Sequence, residues 1–184
     1  MVLCHPHPLY GGTMDNGVVT GMALALLRRG MASLVFNFRG VGRSQGTYDQ
    51  GVGELEDALA AVEHLRAQSQ VDGDRVGIAG YSFGAGVALA ATSRYEGLRA
   101  VACVACPPPV LADVAAQRVK QPKLFVVGTM DQVVPLEQFQ GLVERFLSPK
   151  EVVALPGGDH FLRGYEAVVG EHVAEFFTRS LSRA

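Results

Sequence analysis

The sequence predicts an α/β protein built on a mainly parallel sheet with helices on both faces. Short, near-continuous apolar runs alternate along the chain with segments whose apolar residues recur at helical spacing, the pattern of strands buried on both sides. The stretch Val76 to Gly86, V-G-I-A-G-Y-S-F-G-A-G, passes from an apolar run through a glycine-flanked serine straight into a helix-compatible segment, Ala85 to Thr92. At 184 residues the chain is expected to form one domain, 1–184. A domain of that size buries roughly 70% of its unfolded surface.

Val2, Leu3 and Cys4 read as a short buried strand. His5-Pro6-His7-Pro8-Leu9-Tyr10-Gly11-Gly12-Thr13 must be a loop, because its prolines remove backbone donors and its glycines favour turns. From about Asn16 to Arg29 the residues Val18, Val19, Met22, Ala23, Leu26 and Leu27 share a helical face; Arg28 and Arg29 suit the negative end of that helix, and Gly30 stops it. Ala32 to Phe38 (A-S-L-V-F-N-F) reads as a second strand, leading into the glycine-rich loop Arg39 to Gly46. Gly40-x-Gly42 is not a dinucleotide cradle: glutamine occupies position 45, where a third glycine is needed, and no helix begins before about Gly53.

Leu55, Ala58, Leu59, Val62 and Leu65 mark the next helix, with Glu54, Glu56, Asp57, Glu63 and Arg66 elsewhere on its surface and the acidic residues among them read as a solvated face near the helix start. Strand Arg75 to Tyr81 and the helix after Ser82 follow. Leu98 to Cys106 is another buried strand, ended by Pro107-Pro108-Pro109, and Lys123 to Gly128 is the next. A helix from about Leu136 to Leu147, a strand Glu151 to Leu155 and a helix from about Tyr165 to Leu181 complete the chain.

Composition narrows the function classes. The 16 basic and 18 acidic residues give a net charge of −2 without a basic block, which excludes nucleic acid and anionic membrane as expected partners. The N-terminal residues show neither the basic region nor the apolar core of a signal peptide. The longest apolar run, near Ala100 to Ala105, is too short to span a bilayer. Three cysteines, an odd number, point to reduced thiols and a cytoplasmic protein. Cys103-x-x-Cys106 is read as a core pair on opposite faces of a strand, not as a redox or zinc motif. No metal or cofactor is called for.

In doubly wound sheets functional groups collect at the carboxyl ends of the strands. Those ends supply Ser82, in the glycine-flanked G-Y-S-F-G turn; Asp131, just past the strand ending at Gly128; and His160, just past the strand ending at Leu155. The turn needs Gly80 and Gly84 because a side chain at either position would block the tight strand-to-helix reversal. Chain order Ser, Asp, His is that of an α/β-hydrolase with a G-x-S-x-G elbow. The assigned roles are Ser82 as nucleophile, His160 as general base and then acid, and Asp131 as the group that orients the imidazole. Asp159, adjacent to His160, is poorly placed for that last role. One oxyanion donor is expected from the Phe83 N–H and the other from the first loop. Pro6 and Pro8 have no N–H, leaving His7, Leu9 or Tyr10, of which His7 is taken.

H-P-H-P-L-Y-G-G-T-M-D-N (His5 to Asn16), F-N-F-R-G-V-G-R-S-Q-G (Phe36 to Gly46), G-Y-S-F-G-A-G and G-G-D-H-F together resemble the small, cap-less bacterial α/β-hydrolases, relatives of dienelactone-hydrolase-like and esterase-like proteins. The resemblance runs the length of the chain and implies a serine hydrolase with Ser82, Asp131 and His160 as triad. Such proteins carry one or more strands before the H-P-H-P strand, so the family's N-terminal strands are expected to be absent here. Ala32 to Phe38 would then be an unpaired apolar sheet edge, covered by a second copy of the chain or by a rearranged segment. The short connection from Cys106 to Lys123 leaves no room for a lid.

The leading expectation is therefore an esterase acting on small-molecule esters, with Leu9, Tyr10, Pro108 and Val133 forming an apolar wall. A thioesterase or acyltransferase would use the same groups. Two other classes compete: a metal-dependent hydrolase using His5, His7, Asp159 and His160, and a binding protein that keeps the fold without turnover.

Overall fold

A computed structural model describes residues 1–182. Its sheet has six parallel strands in the order β2-β1-β3-β4-β5-β6. They are β1 (Val2–Cys4), β2 (Leu34–Val35), β3 (Ile78–Tyr81), β4 (Val101–Val104), β5 (Lys123–Gly128) and β6 (Lys150–Leu155). The helices are α1 (Gly17–Arg28), α2 (Val52–Arg66), α3 (Phe83–Arg94), the single turns α4 (Pro108–Leu111) and α5 (Val114–Gln117), α6 (Leu136–Val143) and α7 (Glu166–Ser180). No helix among the described residues is long and apolar enough to cross a membrane.

Alternation along the strands creates two cores. Val2, Ile78, Val101, Cys103 and Phe125 face α2, α3 and α6. Leu3, Ala79, Ala102, Leu124 and Val126 face α1 and α7. Leu3, Ala79, Ala102 and Leu124 stand in one row across four strands. Parallel strands in register with helices on both sides gather all their carboxyl ends on one edge, which is where the loops carrying Ser82, Asp131 and His160 emerge.

Several sequence expectations need correction. Strand Ala32 to Phe38 shrinks to Leu34–Val35, because Phe36 and Phe38 turn inward. The fully buried Phe38 ring packs edge-on against His5, Phe36 and Phe83. The chain leaves the sheet to bury aromatic surface, so the exposed apolar edge is much shorter than the pattern implied.

Glu54 and Asp57 do not belong to a solvated face. Glu54 is fully buried, and its two carboxylate oxygens accept from the Asp49 and Gly51 N–H groups at 2.9 and 2.7 Å. It thereby closes the start of α2, where backbone donors have no helical partner. Asp57 binds the Arg39 backbone N–H at 2.9 Å and its guanidinium at 2.8 Å, fixing the glycine-rich loop to α2. Helical periodicity marks a face as polar without saying whether a loop will fold onto it.

Cys103 and Cys106 lie in the same core rather than on opposite faces. Ala105 adopts a positive φ of 47°, which breaks strand alternation just before Cys106. Burial, followed by the neighbouring Cys103 thiol, pushes the Cys106 thiol well above its ordinary pKa.

Candidate active site

The site begins at the reversal between β3 and α3. Ser82 sits there at φ 54° and ψ −119°, a conformation that costs a non-glycine residue roughly 1–3 kcal/mol. The neighbours make it possible. A Cβ on Gly80 would collide with the Gly84 carbonyl, and one on Gly84 with the carbonyls of Cys4 and His5. The second contact brings the end of β1 against the elbow.

The Ser82 Oγ lies 3.0 Å from His160 Nε2, and His160 Nδ1 lies 2.8 Å from Asp131 Oδ2. The Asp131 side chain is completely buried and that of His160 is 14% exposed. Asp131 divides its carboxylate: Oδ2 meets the imidazole, while Oδ1 accepts from the Val133 and Val134 N–H groups, both at 2.8 Å. With Nδ1–H donating to the carboxylate, a neutral ring keeps Nε2 free to accept from Ser82. Asp159 instead accepts from the Phe161 and Leu162 N–H groups at 3.0 Å, shaping the loop.

Of the three amides considered for the first loop, two are engaged. Leu9 N–H donates to His7 Nδ1 at 3.2 Å and Tyr10 N–H to the His7 carbonyl at 3.1 Å. Among the described residues the backbone N–H groups of His7 and Phe83 have no acceptor. Their side-chain rings lie 5.0 Å apart. Leu9, Tyr10 and Val133 are 66%, 87% and 57% exposed, and Pro108 is half-buried at the start of α4. Met130 and Phe161, the sequence neighbours of Asp131 and His160, are likewise exposed.

Sequence reasoning missed three neighbours of these residues. Tyr81 donates its hydroxyl to the His160 carbonyl at 2.6 Å, and burial together with the Asp131 carboxylate pushes its pKa up to about 12. Tyr48 Oη lies 3.1 Å from His7 Nε2. His5 is fully buried, with both ring nitrogens engaged by Pro6 O and Phe38 N. Only the position of Tyr81 beside Ser82 was a usable signal; the others depend on how loops meet. The set His5, His7, Asp159 and His160 is not gathered, and no three His, Cys, Asp or Glu side chains among the described residues form a metal-holding group. A recess of about 440 Å³ lined by Met31, Arg75, Phe177 and Leu181 opens at the opposite end of the sheet, away from Ser82.

A parallel sheet with this elbow and no lid domain defines an α/β serine hydrolase. Residues 5–113 match the family described as X-Pro dipeptidyl-peptidase (S15 family), and the chain belongs to that family. An uncharacterised protein of Rickettsia prowazekii is 32% identical over 88% of this chain and 71% of its own length. One from Mycobacterium tuberculosis is 31% identical over 82% of this chain, which spans 60% of that relative. Among solved structures, an alpha-beta serine hydrolase homologue from Coxiella burnetii is 38% identical, covering 98% of this chain and 84% of that one, with a TM-score of 0.84. A lidless α/β serine hydrolase from Xanthomonas campestris is 31% identical over the whole of this chain and 82% of its own, with a TM-score of 0.86.

Proposed function

We propose that the protein hydrolyses small or accessible carboxylic esters through an acyl-enzyme on Ser82. The observation that carries this reading is the hydrogen-bonded line from Ser82 Oγ through His160 to Asp131, on an open surface at the carboxyl ends of the strands. Ser82 attacks the ester carbonyl as its proton passes to His160 Nε2. The alcohol departs with that proton, water attacks the acyl-enzyme with His160 again as base, and Ser82 is regenerated. Asp131 holds the imidazole tautomer and stabilises the imidazolium. The N–H groups of Phe83 and His7 receive the oxyanion, each worth roughly 3–4 kcal/mol. Leu9, Tyr10, Pro108 and Val133 contact the apolar part of the substrate.

The family match favours a second reading, cleavage of X-Pro amides by the same groups. The test is hydrolysis of p-nitrophenyl acetate and of Gly-Pro-p-nitroanilide by wild type and Ser82→Ala, with intact mass after a serine-reactive phosphonate. Ester turnover that disappears in the variant, with one adduct on wild type, is the expected result. Faster turnover of the anilide would replace esterase by peptidase. A folded protein with neither turnover nor adduct would overturn both.

A further inference from the structure

We infer that His5 is a positioning residue for catalysis: it fixes the Pro6–His7 peptide so that the His7 N–H stays turned toward the developing oxyanion. The inference rests on the Ser82 acyl-transfer reading and assigns a task to a histidine outside the triad.

His5 is fully buried, and its two ring nitrogens have different jobs. Nε2 lies 3.1 Å from the backbone N–H of Phe38 and must accept from it. Nδ1 therefore carries the proton and donates to the Pro6 carbonyl at 2.6 Å. Burial lowers the imidazole pKa, in keeping with a neutral ring that accepts at one nitrogen and donates at the other. A trans peptide is planar, with C=O and N–H pointing in opposite directions. Holding the Pro6 oxygen thus fixes the direction of the His7 hydrogen.

Neighbouring groups lock the same peptide. Gly12 lies so close that a Cβ there would collide with the Pro6 carbonyl. The next carbonyl, that of His7, accepts from the N–H groups of Tyr10 and Gly12, both at 3.1 Å. The loop's carbonyls are held on one side while the His7 N–H is left without an acceptor among the described residues. An uncommitted donor held rigidly is what transition-state stabilisation requires, since reorienting it during reaction would cost part of the gain.

A purely structural His5 would tie β1 to the Phe38 segment through Nε2 and fill space against the Phe38 ring. Two substitutions separate the roles, because asparagine and glutamine place their amides at the levels of Nδ1 and Nε2. His5→Asn keeps a donor for the Pro6 carbonyl and gives up the Phe38 tie. His5→Gln keeps an acceptor for Phe38 and gives up the Pro6 donor. With p-nitrophenyl acetate, His5→Gln is expected to lose roughly 100-fold in kcat with KM nearly unchanged, the signature of a lost transition-state interaction. His5→Asn should retain most of kcat while losing at least as much thermal stability.

Wild-type kcat in His5→Gln, or losses in both variants that simply follow their melting temperatures, would overturn the assignment. Nitrogen-15 spectra of wild type need no variant: they should show His5 protonated at Nδ1, and Nε2 protonation would overturn it equally. Wild type inert to both ester and phosphonate would identify failure of the acyl-transfer reading itself, and this assignment would fall with it.

Discussion

The Tyr81 hydroxyl donates to the main-chain carbonyl of His160 at 2.6 Å, so the residue preceding the candidate nucleophile anchors the residue that faces it. Tyr81→Phe removes that bond and little else. The expected stability loss is about 1 kcal/mol. If the bond sets the imidazole position, kcat should fall roughly 10- to 100-fold, because small misplacements of a reacting group are costly. Steady-state kinetics beside a urea melt checks this; an unchanged kcat would leave Tyr81 a packing role only.

Asp131 meets His160 in space and Asp159 precedes it in sequence, and the two carboxylates differ in their partners. Asp131→Asn preserves an oxygen for the Val133 and Val134 amides yet presents a donor to His160 Nδ1, forcing the wrong tautomer. A fall in kcat of about 10⁴-fold is expected with the fold intact. Asp159→Asn retains an oxygen for the Phe161 and Leu162 amides and should change kcat far less. Comparable losses in the two variants would remove Asp131 from its proposed role.

Glu54 predicts a stability effect that surface scoring would miss. Glu54→Ala leaves the half-buried N–H donors of Asp49 and Gly51 without their acceptors, at about 1–3 kcal/mol in all. Glu54→Gln keeps one acceptor oxygen and should lose less. Chemical denaturation of the three proteins gives the order directly.

Lys123 is fully buried in β5 and donates to the carbonyls of Leu147 and Pro149 at 2.8 and 3.1 Å. Burial, with a smaller push from the Lys150 ammonium, brings its pKa down to about 8 from the ordinary 10.5. Between those values the unfolded chain holds a proton that the folded protein has released. The contribution to stability is present above pH 10.5 and is lost as pH falls toward 8. The stability of wild type relative to Lys123→Met should therefore climb over that window, by up to roughly 3 kcal/mol. Tyr81, with its raised pKa, works in the opposite sense from pH 10 upward and cancels in the comparison. A flat difference would contradict the depressed pKa.

Strand and helix order was legible because burial on both faces leaves continuous apolar runs, and because Gly80 and Gly84 mark a strand-to-helix turn that tolerates no side chain. Ser82, Asp131 and His160 were legible for a topological reason: each follows a strand, and parallel strands deliver their ends to one edge. What escaped was decided by contacts between loops. The Phe36 and Phe38 side chains prefer an aromatic cluster to a strand, Glu54 answers to amides outside its own helix, and Ala105 breaks alternation with a single backbone angle. His5 looked like one member of a proline-rich loop until its two nitrogens could be assigned to separate partners.

His160 hangs from β6, which among the described residues is an outer strand paired only with β5 and with its Glu151, Val152 and Ala154 side chains turned largely to water. Ser82 follows β3, deep in the sheet. The two halves of the proposed proton relay therefore differ in how readily their supports open, since outer strands breathe at lower free energy than central ones. Loss of activity is then expected to be a local event: in mild denaturant turnover should fade while the β1–β3–β4 centre still reads as native, so that the working lifetime follows the frailest border.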